Sequence, residues 1–241
     1  MLWIPEWAAT LLNRQMPPDG SLKRAALAEA RSNTETPARL LLENASDDAD
    51  NVFNEGLRHA LTSPSEADAV VDFWREAGPD LWFAKDPDFD RRFRERFLTQ
   101  HEAAARGEFT DWLATPRGAL ALLILLDQFP RNAFRGTPRM YQTDVLARET
   151  ARTAIAKGHD KRVQDELRLF FYLPFGHSED VADQDWSVAL ARCLGEPVLS
   201  HAEQHRGIVQ RFGRFPHRNP ILGRAMTEME QRFLDGGGFS G

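Results

Sequence analysis

The amino-acid sequence predicts an all-α protein built from stacked antiparallel helix pairs joined by short loops. Helix start and stop signals recur along its later two thirds, one segment is apolar on every side, and no window keeps the alternation of a β-strand. The chain has 241 residues, 42% of them hydrophobic and 27% charged. A chain of this length and composition can bury a sizeable core without metals or disulfides.

The N-terminal part predicts a separate helical extension of unknown role, over residues 1–62. Short helical stretches at 7–14, 22–31 and 51–61 are broken by prolines 17 and 18 and by an acidic run after Ser46. The sequence Thr-Ser-Pro-Ser at 62–65 then looks like a linker. We therefore expect a domain boundary here, with the main helical domain over 63–241.

The helices of the main domain are marked by caps and terminators. Ser65 is a candidate N-cap for a helix that Gly78 and Pro79 end, and Thr115 and Pro116 begin a helix whose body, 119–126, is apolar on every side. Such a helix belongs at the centre of a bundle. Further helices are predicted over 86–106, 144–157, 161–173, 178–194, 198–212 and 223–234.

Charge and hydropathy exclude several classes of function. A net charge of −6 argues against general nucleic-acid binding, which needs clustered excess Lys and Arg. The longest apolar run, 119–126, is far too short for a membrane span, and the first residues lack the features of a secretion signal. The single cysteine, Cys193, lies in an apolar helical run and is interpreted as a core thiol in a reducing compartment. We therefore expect a cytoplasmic protein.

The arginines provide the strongest functional signal. The first Phe-Pro motif, Asp-Gln-Phe-Pro-Arg-Asn at 127–132, and the second Phe-Pro motif, Arg-Phe-Pro-His-Arg-Asn at 214–219, each follow a predicted helix. Residues 128–143 contain three arginines and no acid, and residues 206–227 contain five arginines and no acid. A guanidinium matches a carboxylate or phosphate with two parallel hydrogen bonds, so two such segments at one cleft predict an anion site. The alternative is that these arginines close helix ends and pair with Asp127, Glu179 or other acids inside the fold.

The histidines allow a structural and a chemical interpretation. Ser178 is a candidate cap for the helix that follows, with Glu179 near its positive end. The rival interpretation has His177 as acid or base with Glu179 as its partner. His201 and His205 have the i, i+4 spacing of a metal pair, but they lack the adjacent Glu of a zinc-protease helix, and we predict no metal and no cofactor.

Several motifs together resemble the bacterial domain-of-unknown-function family 924, over about residues 67–241. The resemblance rests on the following segments: Trp-Phe-Ala-Lys-Asp at 82–86, 125–132, Phe-Arg-Gly at 134–136, Tyr-Leu-Pro at 172–174, His-Ser-Glu at 177–179, His205, 211–219 and Leu-Gly-Arg at 222–224. It implies a fold similar to the tetratricopeptide-like helical superfamily, with helix pairs stacked around a groove. The family has no established activity to transfer, and His201 departs from its pattern, which is aromatic there.

The resemblance and the arginines together define the candidate site. We expect binding, with possible turnover, of a small anionic ligand in a pocket formed by the two Phe-Pro motifs. The candidate ligand-binding residues are Gln128, Arg131, Asn132, Arg214, Arg218 and Asn219, and the candidate catalytic residues are Asp127, His177, Glu179, His205 and His217. The alternative is a helical scaffold that binds a peptide without catalysis; the sequence leaves the oligomeric state open.

Overall fold

The structure, a computed structural model, describes residues 65–241, and this part of the chain is helical without a β-strand. The all-α prediction is therefore confirmed for it. The helices are α1 (Glu66–Ala77), α2 (Pro79–Trp82), α3 (Pro87–Ala105), α4 (Pro116–Leu123), α5 (Phe129–Ala133), α6 (Asp144–Ala156), α7 (Asp165–Arg168), α8 (Leu173–Gly176), α9 (Val181–Ala191), α10 (Val198–Phe212) and α11 (Glu228–Asp235). A π turn, Ile124–Gln128, joins α4 to α5, and short 3-10 turns lie at Thr110–Ala114, Pro138–Tyr141, Asp160–Arg162, Leu169–Phe171 and Pro216–Arg218.

The helix ends follow the capping signals of the sequence. Ser65 accepts a hydrogen bond from the Asp68 N–H at the start of α1, and Thr115 does the same for the Gly118 N–H at the start of α4. Helix α10 ends at Gly213, whose φ of 69° is left-handed, so a glycine is favoured there. Local side-chain chemistry therefore sets where these helices begin and end.

The apolar helix lies at the centre of the fold, as its sequence predicts. Every residue from 119 to 126 is at most 4% exposed, and α4 packs against α1 and α6. Most of the aromatic-rich stretch joins this core: Trp74, Trp82, Phe89, Phe93 and Phe97 are all buried. Phe83 is the exception, with 60% of its surface exposed.

Three predicted helices differ from the structure. Residues 161–173 form two short turns and α7 instead of one helix. The backbone is extended at Val163, and the Arg168 side chain donates to the Asp160 carbonyl. Pro174 lies in the first turn of α8 rather than ending a helix. The helix predicted at 178 begins at Val181 with Asp180 as its cap, and the one predicted at 223 begins at Glu228.

Cys193 is exposed, which corrects the prediction of a core thiol. Helix α9 ends at Ala191, so the cysteine falls in the loop beyond it, where its thiol donates to the Leu190 carbonyl at 3.0 Å. The predicted extension over residues 1–62 lies outside the described residues. Within residues 65–241, no helix combines the length and apolarity that a membrane crossing requires. The cytoplasmic location, the domain boundary and the tetratricopeptide-like stacking stay predictions.

Candidate functional site

The first Phe-Pro motif lies within a continuous helical segment instead of following a helix. The π turn at 124–128 leaves carbonyl groups that side chains bind: His101 Nδ1 lies 2.9 Å from the Leu125 oxygen, and Thr143 Oγ1 donates to the Leu126 oxygen at 2.6 Å. Arg131 Nη1 donates to the backbone oxygen of Asp127 at 2.7 Å. Pro130 has no N–H, so it cannot bond a carbonyl of the preceding helical turn. The π turn therefore fixes where Asp127 and Arg131 lie.

The second Phe-Pro motif adopts a different backbone. It follows the end of α10 at Gly213 and contains the 3-10 turn Pro216–Arg218. The Glu179 carboxylate accepts the Phe215 N–H at 2.9 Å and two bonds from Arg224 Nη1 at 2.9 and 2.8 Å. Glu179 thus anchors the second motif rather than orienting a histidine.

The structure brings the two motifs to one place. Asp127 Oδ1 lies 2.8 Å from His177 Nδ1 and 3.1 Å from Arg131 Nη1. Arg131 Nη1 also lies 3.0 Å from Asp144 Oδ1, and Arg218 Nη1 lies 3.8 Å from Asp144 Oδ2. Arg218 Nη2 donates to the His177 carbonyl at 3.0 Å. We call these five residues, Asp127, Arg131, Asp144, His177 and Arg218, the arginine cluster.

Asp127 is ionised within this cluster. Its side chain is 1% exposed, and burial alone raises the pKa of its carboxyl group. The Arg131 charge and the His177 hydrogen bond outweigh burial and lower that pKa to about 2. The same pairing acts on Arg131, because burial disfavours its charge but Asp127 and Asp144 raise its pKa. The two residues form a buried ion pair.

Arg218 is less well compensated than Arg131. Its guanidinium lies between two aromatic rings, 4.7 Å from the centroid of Tyr141 and 4.5 Å from that of Phe215. Burial and the Arg131 charge lower its pKa, against the opposing effect of Asp144. Its side chain is 8% exposed and its Nε has no hydrogen-bond partner within residues 65–241.

The hydrogen bond to Asp127 fixes the tautomer of His177. An ionised carboxylate can only accept, so His177 Nδ1 carries the proton and donates it. Burial, and then the Arg131 charge, lower the pKa of the ring, so it is neutral near pH 7. Nε2 is therefore an unprotonated acceptor.

The other two candidate catalytic histidines lie beside the cluster. The pKa of His205 is lowered to about 3 by burial and by His177, and that of His217 to about 4 by burial and by Arg218. Both rings contact Phe239, with centroids 4.6 and 5.2 Å away. They are neutral, largely apolar neighbours of the cluster rather than hydrogen-bond partners of its carboxylates.

Most of the remaining candidate residues are bound elsewhere. Arg214 forms two hydrogen bonds to Glu230, at 2.6 and 2.9 Å, and Asn132 donates to Asp90 at 2.8 Å. Asn219 is fully buried, with Nδ2 3.5 Å from the Met226 sulfur. Gln128 donates to Asp127 Oδ2, the carboxylate oxygen that His177 does not contact.

The ion-pair interpretation accounts for most of the arginines in the two acid-free segments. The pairs are Arg135 with Asp90, Arg139 with Glu102, Arg206 with Asp185, Arg214 with Glu230 and Arg224 with Glu179. Exposed Arg211 lies over the rings of Phe212 and Phe233. The remaining two of these eight arginines, Arg131 and Arg218, have largely buried side chains, and one nitrogen of each has no hydrogen-bond partner in the described part of the chain.

Unsatisfied polar atoms concentrate at this place. Nine buried side-chain nitrogens and oxygens have no hydrogen-bond partner in the described part of the chain, and four of them are Arg131 Nη2, Asp144 Oδ1, His217 Nδ1 and Arg218 Nε. Buried polar groups in proteins are nearly always hydrogen-bonded, so we expect these atoms to bond water or a small polar ligand.

Sequence reasoning missed two residues of the site, Asp144 and Tyr141. Asp144 was expected only as the start of a helix, although it is the first acid after the acid-free segment 128–143. Its position directly after that segment could have identified it as a partner of the arginines. Tyr141 has no sequence signal, because its contact with Arg218 depends on how distant segments pack.

No group of three or more His, Cys, Asp or Glu side chains within residues 65–241 could hold a metal ion. His201 is exposed, whereas His205 on the same helix lies beside Gly176, so the two rings do not form a site. Two shallow cavities lie away from the arginine cluster, one lined by Phe109, Leu122 and Leu146, the other by Val71, Arg117 and Leu167.

Comparisons with known proteins agree with this sequence and fold. No curated protein matches the chain. A solved structure of a protein of unknown function from Agrobacterium tumefaciens is 56% identical, with a TM-score of 0.70, and the match covers 71% of this chain and 97% of that one. The model of the family described as bacterial protein of unknown function, DUF924, matches residues 70–238. The chain therefore belongs to the bacterial family DUF924.

Proposed function

We propose that the arginine cluster binds a small anion, a carboxylate or a phosphate, through Arg131 and Arg218. The observation that carries the proposal is the pair of buried, unpartnered donors, Arg131 Nη2 and Arg218 Nε, on two guanidiniums that share the Asp144 carboxylate. A buried donor without a partner costs roughly 1–3 kcal/mol, and an anion oxygen would remove that penalty at both atoms.

The uneven pairing of Arg218, rather than the net charge of the cluster, favours an anion over a neutral ligand. Two carboxylates face two guanidiniums, yet Arg218 keeps only a distant contact with Asp144, at 3.8 Å. Burial and the Arg131 charge both act against the Arg218 charge, as its lowered pKa indicates. A bound anion would offset both effects. The contacts of Arg218 with the Tyr141 and Phe215 rings restrict the positions of its side chain, which lowers the entropy lost on binding.

The shape of the cluster favours a small molecule over a peptide. A peptide-binding scaffold would spread its polar groups along an open groove, whereas these side chains converge and are at most 16% exposed. A second candidate function is proton transfer on the bound anion, favoured by the 2.8 Å bond between Asp127 and His177, which orients a neutral imidazole as a base. Turnover that persists in an Asp127→Asn variant would exclude that role for the pair.

The anion proposal is tested by calorimetric titration of the full chain with phosphate, sulfate and acetate. The variant Arg218→Lys keeps the positive charge but loses the Nε donor and the fork, so we expect at least about tenfold weaker binding. Arg211→Lys is the matched control, since Arg211 lies in the same acid-free segment and is exposed. The proposal is contradicted if the wild type binds none of the three anions, or if Arg218→Lys binds them as tightly as the wild type does.

A further inference from the structure

We infer that the anion held by Arg131 and Arg218 carries its own O–H donor, as hydrogen phosphate or a hydroxy acid does, and that His177 Nε2 accepts it. This inference rests on the proposed anion site and defines the chemical class of its ligand. It follows from the hydrogen-bonding groups that the cluster leaves unmatched.

The first step is the direction of the His177 hydrogen bonds. Nδ1 donates to Asp127 Oδ1 at 2.8 Å, so a neutral ring presents Nε2 as a lone pair. No group within residues 65–241 donates to that nitrogen. The His177 side chain is 16% exposed, so a small molecule can reach the second ring nitrogen.

The second step is that the cluster has unmatched acceptors beside its unmatched donors. Asp144 Oδ1 has no hydrogen-bond donor of suitable geometry, although Arg131 Nη1 lies 3.0 Å away. An anion without hydrogen, such as sulfate, would satisfy Arg131 Nη2 and Arg218 Nε. One of its oxygens would also face an acceptor atom with no hydrogen between them, which is unfavourable in a buried site. An anion with one O–H group can donate that hydrogen to His177 Nε2 and place its other oxygens against the two donors.

The third step is that contacts within the cluster link His177 to both guanidiniums. His177 Nδ1 and Arg131 Nη1 contact the same Asp127 oxygen, at 2.8 and 3.1 Å. Arg218 Nη2 binds the backbone oxygen of His177 at 3.0 Å. His177 is therefore linked to Arg131 through Asp127 and to Arg218 through its own backbone oxygen.

The test compares ligands that differ in the O–H group. One calorimetric arm uses phosphate and sulfate at about pH 8, where phosphate is mainly a dianion that still carries one proton. The other arm uses lactate and propionate, so the two arms distinguish a phosphate from a carboxylate ligand. We expect the O–H-bearing member of at least one pair to bind about tenfold tighter or more. His177→Phe should remove that preference, and Arg211→Lys should keep it.

The outcomes separate the two proposals. If none of the four anions binds, the anion site itself is wrong and the inference falls with it. If anions bind but both members of each pair bind equally, the site stands and the inference is overturned. A preference that survives in His177→Phe would overturn the role of His177. Should that variant not fold, the ¹⁵N resonance of His177 Nε2 in the wild type decides. A shift on adding phosphate but not sulfate, or lactate but not propionate, is expected, and no difference within either pair contradicts the inference.

Discussion

The Asp127 carboxylate is held by three different donors. His177, Arg131 and Gln128 all bind it, and its side chain is 1% exposed. A buried charge of this kind is stable only while its partners remain, because removing one leaves the other charge uncompensated. The consequence is that Asp127 serves the fold and the candidate site at once.

Replacing Asp127 with Asn should therefore destabilise the protein by about 3 kcal/mol or more, since Arg131 then loses the more deeply buried of its two counter-charges, Asp127 and Asp144. Urea denaturation measures the loss. Glu102→Gln is the matched control, because the pair of Glu102 with Arg139 is exposed and its loss should cost at most about 1 kcal/mol. Equal losses in the two variants would show that the buried pair has no special role in stability.

Single residues could be predicted here only as far as their chemistry is visible in the sequence. Asp127, Arg131, His177 and Arg218 were identified from acid-free segments and motifs, and the structure places them together. Asp144 and Tyr141 were missed, and Glu179 was given a histidine partner that it does not have. Which carboxylate meets which guanidinium depends on packing between distant helices.

At the level of elements, the π turn at 124–128 positions the site. His101, in α3, binds the Leu125 carbonyl of this turn, and Thr143, directly before α6, binds the Leu126 carbonyl. π turns within α-helices occur often at functional sites. These donors come from separate parts of the chain, which explains why the sequence predicted an uninterrupted helix followed by a turn.

Replacing Thr143 with Val should destabilise the protein by about 1–3 kcal/mol, because the buried Leu126 carbonyl loses its donor while the side-chain shape is kept. Thermal or urea unfolding gives the change. Thr153→Val is the control, since its hydroxyl binds an exposed carbonyl within α6, and we expect a change of at most about 0.5 kcal/mol. If both substitutions are neutral, Thr143 does not hold the π turn.

At the scale of the whole molecule, the buried neutral histidines predict a dependence of stability on pH. The folded-state pKa values of His205 and His217, about 3 and about 4, lie below the unfolded value near 6.5. The stabilisation is complete above about pH 6.5 and is lost as the pH falls, because the unfolded chain then binds protons that the folded one does not. Each histidine should contribute a slope of at most about 1.4 kcal/mol per pH unit.

The free energy of unfolding, measured by urea denaturation between about pH 7 and 5, checks this expectation. Asp127, with its folded pKa of about 2, loses its own contribution only below about pH 4, so this window reports on histidines. His217→Phe should flatten the slope, whereas the same change at the exposed His201 should leave it. A flat profile in the wild type would contradict the burial of neutral rings.

The overall architecture was more predictable than the site, for a physical reason. Ser65, Thr115 and Pro116 act on their own helix ends, and the run at 119–126 is apolar whatever surrounds it, so the all-α class and the central helix follow from local sequence. The segment 161–173 was misassigned because tertiary contacts of Asp160 break it. Convergence of the two Phe-Pro motifs required the folded chain.

The most direct measurement is a crystal structure of the protein grown or soaked in phosphate, refined with attention to the arginine cluster. We predict a tetrahedral anion with oxygens about 2.7–3.1 Å from Arg218 Nε and Arg131 Nη2 and one oxygen facing His177 Nε2. Water alone at these three atoms in crystals soaked with phosphate, and again in crystals soaked with lactate, would contradict the account.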